Sequence, residues 1–152
     1  LHPDFQLFQI DSPRMDAIYE VITELELPVI VHAGDKRYDF SGPKRIAHVL
    51  EKHPKIELIA AHFGGYSEWE NSMEHLVGKK VWFDTSSSLF SLPVETANKM
   101  IRDHGYEKFL FGSDFPMWDH EGELERFNKL DLTAEMRDAI LYKNALRLLK
   151  EE

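Results

Sequence analysis

The sequence predicts an α/β fold that forms part of a parallel (β/α)8 barrel. Four short apolar runs, which begin near residues 29, 57, 81 and 109, have the length and composition of buried strands. The intervals of 28, 24 and 28 residues each hold one helical pattern, and such repeats imply parallel strands with helices covering the sheet. A complete barrel needs ~250 residues, whereas this chain has 152, so it corresponds to part of one.

Helical patterns lie on both sides of the first strand run. Ser12-Pro13 has the residues of a helix start, a capping serine followed by proline. Apolar residues at helical spacing follow it: Met15, Ile18, Tyr19, Ile22 and Leu25. Ser41-Gly42-Pro43 opens a second helix, which His53-Pro54 closes because the residue before a proline disfavours helix.

Further helices are predicted beyond the second strand run. Ser67 and Glu70 form a capping-box pattern, and glycine or proline marks the ends of the two helices that follow. The expected ranges are 67–78, 93–105, 121–130 and 133–149. The composition does not change along the chain, so we expect a single domain over residues 1–152.

Polar residues follow the strand runs where each run ends. Right-handed connections between parallel strands bring these ends to one side of the sheet, which would receive His32, His62, Asp84 and Asp114. Imidazole and carboxylate are the ligand types of zinc and related divalent metals. His32 and Asp114 suit direct ligation, and His62 suits either ligation or the role of a base that takes a proton from water.

Structural roles compete with each of these interpretations. A lone histidine at a strand end is most often hydrogen-bonded and structural, and Asp114 could instead cap the following turn. For Asp84 we favour a structural role, with Thr85 and Ser86 as hydrogen-bond partners. The role of His2 is left open. Surface positions are expected for the remaining histidines: His48, His53, His75, His104 and His120.

The composition excludes several classes of protein. The net charge of −9 argues against binding to nucleic acid or to an anionic membrane. The absence of cysteine removes disulfides, thiolate metal sites and a cysteine nucleophile. No apolar run reaches the length of a membrane span and no signal peptide is visible, so a cytoplasmic location is the default expectation.

Five short motifs occur in order through the chain. They are Leu1-His2-Pro3, Val31-His32-Ala33-Gly34, Ala61-His62-Phe63-Gly64-Gly65, Gly112-Ser113-Asp114-Phe115-Pro116 and Asn144-Ala145-Leu146-Arg147-Leu148-Leu149. Together they resemble the amidohydrolase superfamily, and within it the amidohydrolase-related group that includes aminocarboxymuconate-semialdehyde decarboxylase. The resemblance implies one divalent metal, usually zinc, at the mouth of the barrel.

The resemblance also implies roles for individual residues. His32 would be the metal ligand of strand 5 and Asp114 that of strand 8, while His62 on strand 6 would activate water or contact the substrate. Phe63, Phe115 and Trp118 would line the pocket for a small-molecule substrate.

The sequence departs from the family in one respect, since it contains no His-x-His pair. The family carries that pair on its first strand, so the chain corresponds to strands 5–8 with their helices, and strands 1–4 are missing from it. Cutting a barrel exposes strand edges and an apolar interior. We therefore expect a homo-oligomer, or pairing with the missing N-terminal half.

Three functions remain open. The first is a metal-dependent hydrolase in which activated water attacks a carbonyl-type centre, with His62 and Asp114 handling protons. The second uses the same site for non-oxidative decarboxylation of a small aromatic or unsaturated acid. The third is a catalytically silent fragment without the complete metal site.

Overall fold

The computed structural model describes residues 1–151 and contains one parallel sheet of four strands. The strands lie side by side in chain order, with β1 at Pro28–Val31, β2 at Glu57–Ala60, β3 at Trp82–Asp84 and β4 at Phe109–Leu110. Each begins within one residue of the position that the apolar runs predict. Consecutive parallel neighbours are the arrangement of a barrel segment, so the predicted fold class, the C-terminal part of a (β/α)8 barrel, is confirmed.

Helices precede, connect and follow the strands. The α-helices are α1 Pro3–Gln6, α2 Asp16–Glu24, α3 Pro43–Lys52, α4 Trp69–His75, α5 Val94–His104, α6 His120–Phe127, α7 Ala134–Asp138 and α8 Asn144–Leu149. Short 3-10 helices cover Pro13–Met15 and Tyr106–Lys108, and a π-helix at Ala139–Lys143 joins α7 to α8. Within residues 1–151, no helix combines the length and the apolarity that crossing a bilayer requires.

The two faces of the sheet differ in burial. The register places four fully buried side chains in one row on the helix-covered face: Val31, Ala60, Phe83 and Phe109. On the opposite face, Ile30, Ile59 and Trp82 form a row in which Ile30 is 52% exposed and its two neighbours are half-buried. This apolar open face corresponds to the interior of a closed barrel.

The predicted capping box at the start of α4 is wrong. Ser67 has a left-handed backbone with φ of +58°, so it does not occupy the extended conformation of an N-cap. Its hydroxyl accepts a hydrogen bond from the Lys36 main-chain nitrogen at 3.3 Å instead. The helix begins at Trp69, and Glu68 caps it without a side-chain hydrogen bond.

The expectation that His104 lies on the surface is also wrong. Its ring is buried at the end of α5 and stacks on Phe83 with the ring centroids 4.2 Å apart. The Gly78 main-chain nitrogen donates to its Nδ1 at 3.0 Å, and its Nε2 donates to the Val81 carbonyl at 2.9 Å. His104 therefore joins α5 to the segment that leads into β3.

Candidate functional site

The first residues of the chain extend the sheet at the edge of β1. Leu1 exchanges two main-chain hydrogen bonds with that strand, of 2.8 and 3.0 Å. This pairing places His2 beside the end of β1, where its ring stacks on that of His32 with centroids 4.1 Å apart. The turn into α1 then brings in Asp4, whose Oδ2 accepts a hydrogen bond from the Ser41 hydroxyl at 2.9 Å.

His32 and His62 follow neighbouring strands and are in direct contact. Nδ1 of His32 lies 3.0 Å from Nε2 of His62, and Nδ1 of His62 lies 3.1 Å from the Ser86 carbonyl oxygen. Because a carbonyl can only accept, the hydrogen-bond network assigns the proton of His62 to Nδ1. Nε2 of His62 then accepts from Nδ1–H of His32, which leaves Nε2 of His32 with a free lone pair.

Asp84 fixes the position of His62. Its Oδ1 accepts hydrogen bonds from the His62 main-chain nitrogen at 3.0 Å and from the Ser86 hydroxyl at 2.6 Å. The structural interpretation of Asp84 and its partnership with Ser86 are thus confirmed. The hydroxyl of Thr85 does not contact Asp84 but accepts from the Gly112 main-chain nitrogen at 3.2 Å, so that part of the prediction is wrong.

The free nitrogen of His32 faces the carboxylate of Asp4. His32 Nε2 lies 3.1 Å from Asp4 Oδ2, yet the contact lacks hydrogen-bond geometry, and both His32 Nε2 and Asp4 Oδ1 are buried without a hydrogen-bond partner. Burial, reinforced by the neighbouring imidazoles of His62 and His2, lowers the pKa of His32 to about 4. Burial also raises the pKa of the Asp4 carboxyl.

These donors fit a divalent metal ion. A buried imidazole lone pair and a buried carboxylate oxygen without partners are ligands of the kinds that zinc and manganese accept. Adjacent ligands at about 2.1 Å from such an ion lie about 3 Å apart. In residues 1–151, the ligand atoms of His2, Asp4 and His32 all lie within 4.8 Å of one another. Asp114 is outside this group, and its sharing of one ion with His32 stays a prediction.

Asp114 occupies an exposed position beyond the end of β4. The Ser87 hydroxyl donates to its Oδ2 at 2.6 Å, and the Trp118 indole donates to the Ser87 oxygen at 3.0 Å. Ser87 adjoins Ser86, which holds His62. The structure therefore brings His32 and His62 together directly, and it connects Asp114 to His62 through Ser87 and Ser86.

The three predicted pocket aromatics lie in different environments. Phe115 is 67% exposed, and Trp118 is half-buried with its ring stacked on Phe90 at 4.9 Å. Both are open to a bound molecule. Phe63 is fully buried and packs against Phe109 with ring centroids 5.2 Å apart, so it belongs to the hydrophobic core and lines no accessible surface.

The segment after β2 has a left-handed backbone. His62, Phe63 and Gly64 have φ values of +62°, +55° and +73°. A Cβ at Gly64 would lie 2.5 Å from the Phe83 ring and 2.7 Å from the Ser72 hydroxyl, so only glycine fits there. Left-handed residues other than glycine cost free energy, persist only where the surroundings fix them, and cluster at functional sites.

The sequence analysis did not assign roles to three residues of this site: His2, Asp4 and Ser87. The Leu1-His2-Pro3 motif marked the position of His2, but its contact with His32 depends on the pairing of Leu1 with β1. No pattern in the sequence distinguished Asp4 from an ordinary surface carboxylate. Of the serine run, the sequence analysis assigned only Ser86, as a partner of Asp84.

Known proteins with similar structures are decarboxylases and hydrolases. A 2,6-dihydroxybenzoate decarboxylase from Rhizobium superposes with a TM-score of 0.72 at 17% identity, over 93% of this chain and 57% of that one. A dihydroxybenzoic acid decarboxylase from Polaromonas, solved with bound manganese and 2-nitroresorcinol, gives 0.70 at 17% identity, over 93% and 55%. A putative 2-pyrone-4,6-dicarboxylic acid hydrolase from Pseudomonas putida gives 0.69 at 21% identity, over 93% and 58%.

The superpositions support the fold, and a sequence-family match identifies the family of the chain. The chain spans between 55% and 58% of the lengths of these three neighbours, as a segment of a (β/α)8 barrel would. The sequence model of the amidohydrolase family matches residues 1–150. One of the similar structures was solved with bound manganese. The chain therefore belongs to the amidohydrolase family.

Proposed function

We propose that this chain supplies the C-terminal half of the active site of a metal-dependent hydrolase, in which water attacks a carbonyl-type centre of a small molecule. The observation that carries the proposal is the contact between His32 and His62 at the ends of β1 and β2, with Nε2 of His32 left free. Membership of the amidohydrolase family supports it.

Each residue of the site would have a different role in the reaction. A bound divalent cation, zinc in this proposal, would supply Lewis acidity and lower the pKa of water towards neutrality. Nε2 of His62 accepts a hydrogen bond from Nδ1–H of His32. This bond orients Nε2 of His32, as the hydrogen-bond partners of metal-binding histidines do. Asp114 is exposed and within reach of solvent, so it would exchange the proton of the reaction, with Phe115 and Trp118 against the substrate.

A decarboxylase is the second candidate. Two of the similar structures are decarboxylases of dihydroxybenzoic acids, and one of these is bound to manganese. The same site would then hold the oxygens of an aromatic acid, with a histidine managing proton transfer to the ring carbon. The choice between the two reactions depends on the shape of the pocket, which the rest of a barrel would help to form.

Two substrates distinguish these functions. The purified chain, supplied with zinc or manganese, would be incubated with 2-pyrone-4,6-dicarboxylate and with 2,6-dihydroxybenzoate. Ring opening of the pyrone without release of carbon dioxide supports the hydrolase, and carbon dioxide from the benzoate supports the decarboxylase. Metal uptake without turnover of either substrate would support the catalytically silent alternative. The Asp114→Asn variant serves as the control for site-dependent turnover.

The open face of the sheet supports pairing with another half-barrel. Ile30 and its row of apolar neighbours would be covered in a closed barrel, and the chain spans little more than half of each similar structure. We propose that the N-terminal half of a barrel covers this face, or a second copy in its absence. Light scattering at high protein concentration tests the idea, and a compact, stable monomer would contradict it.

A further inference from the structure

We propose that Glu123 and Arg126, both on α6, are positioning residues for the substrate pocket. The buried carboxylate fixes the guanidinium against Trp118, and Trp118 in turn holds the Ser87 hydroxyl that donates to Asp114. The inference rests on the proposed function only in taking Trp118 as a wall of the pocket and Asp114 as a reacting residue.

The carboxylate of Glu123 is the anchor of this arrangement. Its side chain is fully buried, and Oε1 accepts a hydrogen bond of 2.5 Å from Nη1 of Arg126. Its Oε2 is buried without a hydrogen-bond partner among residues 1–151. Burial raises the pKa of the Glu123 carboxyl, and the charge of Arg126 opposes this shift. Because a buried carboxylate that loses its cation is left uncompensated, the pair holds Arg126 in one place.

The guanidinium of Arg126 lies over the ring of Trp118. Its Cζ is 5.1 Å from the ring centroid. A cation within about 6 Å of the face of an indole ring is attracted to it, and more strongly where water is excluded. The Arg126 side chain is only 27% exposed, so the contact is partly shielded from water. The contact therefore connects the anchor at Glu123 to a ring that would line the pocket.

Trp118 makes two further contacts that fix its ring. It stacks on Phe90 with the centroids 4.9 Å apart, and its indole Nε1–H donates to the Ser87 oxygen at 3.0 Å. Because that oxygen accepts from the indole, the hydroxyl proton of Ser87 is directed to Oδ2 of Asp114, 2.6 Å away. A movement of Trp118 would therefore release Ser87 and remove the side-chain hydrogen bond that orients Asp114.

A purely stabilising ion pair is the competing interpretation. Lys99 and Asp103 on α5 form a pair of that kind, with side chains 62% and 46% exposed, and such surface pairs contribute little to stability. Glu123 instead loses its hydration completely, and a buried ion pair is often no more stabilising than apolar side chains of similar volume. Burial does add a fixed geometry, which the wall of a pocket requires.

Hydrogen exchange of the Trp118 indole tests the proposal in the absence of substrate. Its Nε1–H resonance is observed by heteronuclear NMR of the whole chain and assigned with Trp118→Phe. Arg126→Met keeps the unbranched stem of the side chain but removes the guanidinium. It should raise the exchange rate roughly fivefold or more, the effect of losing one cation–π contact. Arg126→Lys restores a cation at this position and should recover most of the protection.

Two further variants make the outcomes decisive. Glu123→Gln keeps the size of the anchor without its charge and should raise the exchange rate as Arg126→Met does; if it does not fold, the two Arg126 variants decide. Arg137→Met is the matched control, because it removes a guanidinium that lies 5.5 Å from the ring centroid of Phe127, and it should leave the Trp118 exchange rate unchanged. Circular dichroism checks the folding of each variant. The proposal is overturned by an unchanged rate in folded Arg126→Met, by a rate in Arg126→Lys as high as in Arg126→Met, or by equal acceleration in Arg137→Met. Because no substrate is used, a failed hydrolase assay leaves these outcomes unaffected.

Discussion

Two histidines whose rings are largely removed from solvent have similar environments but different hydrogen bonding. Burial lowers the pKa of both His104 and His32 to about 4, so both rings are neutral at pH 7. Both ring nitrogens of His104 are paired, with the main chain at Gly78 and Val81. His32 has only one nitrogen paired, and its Nε2 faces the carboxylate of Asp4.

The difference separates a structural histidine from a candidate ligand. A low pKa alone does not distinguish them, because burial produces it in either case. The unpaired nitrogen does distinguish them, since a protein that buries an acceptor without a partner gives up stability that a bound ligand can restore. The comparison predicts losses of stability of different size when the two rings are replaced in the absence of metal.

The largest effect is expected from replacing the structural histidine. His104→Leu leaves the Gly78 N–H and the Val81 carbonyl buried without partners, and should lower the free energy of unfolding by about 4 kcal/mol. His32→Leu is the matched variant and should cost less, about 2 kcal/mol, because it leaves only Nε2 of His62 without its partner and also removes an unpaired buried nitrogen. Urea unfolding at pH 7 in the presence of EDTA measures both. Equal losses for the two variants would remove the distinction.

The pH dependence of the free energy of unfolding tests whether the fold keeps the His104 ring neutral. The folded-state pKa of His104 is about 4, below the ordinary 6.5, so the unfolded chain takes up its proton first as the pH falls. Its contribution to stability is complete above pH 6.5 and is lost progressively towards pH 4. The cost of His104→Leu should therefore shrink by about 2 kcal/mol between pH 7.5 and pH 5.

Urea unfolding at several pH values, in EDTA so that metal binding does not contribute, measures this change. A cost of His104→Leu that stays constant down to pH 5 would show that the ring is not kept neutral by the fold.

The fold and part of the site followed from local sequence patterns. The apolar runs predicted all four strands because parallel strands that are buried on both faces, as in a closed barrel, carry continuous apolar residues. The same regularity placed His32 and His62 at equivalent positions after β1 and β2, and the structure brings their rings into contact. Asp84 was assigned correctly because Ser86 follows it at the spacing of a local hydrogen bond.

The other assignments depended on contacts between distant segments. Asp4 reaches His32 only because Leu1 pairs with the edge of β1, and no local pattern encodes that pairing. Ser67 failed as a cap because its backbone is left-handed, a conformation that a capping-box pattern does not reveal. His104 was misplaced because its partners lie more than twenty residues earlier in the chain.

A smaller effect, of opposite sign, is expected at Asp4. In Asp4→Asn, a turn of the side chain that aligns the amide nitrogen with the free Nε2 of His32 lets it donate there, which the carboxylate cannot do. The metal-free chain should therefore gain about 1 kcal/mol in free energy of unfolding, the net value of one buried hydrogen bond. Asp11→Asn is the control and should lose stability, because Asp11 pairs with Arg45 and His48.

Urea unfolding in EDTA measures the two variants side by side. Destabilisation by Asp4→Asn as large as that by Asp11→Asn would mean that the wild-type carboxylate is already well paired. A cation between Asp4 and His32 would then not be required for stability.

The smallest effect on stability is expected at Asp114. Its carboxylate is exposed and its one side-chain hydrogen bond comes from Ser87, so Asp114→Asn should change the free energy of unfolding by less than about 0.5 kcal/mol. Turnover should nevertheless be lost if Asp114 exchanges the proton of the reaction, because an amide cannot take up a proton near neutral pH. Stability from urea unfolding and turnover of the two test substrates are measured on one preparation. A variant that keeps full turnover would restrict the reaction chemistry to the corner formed by His2, Asp4, His32 and His62, where the buried lone pairs are.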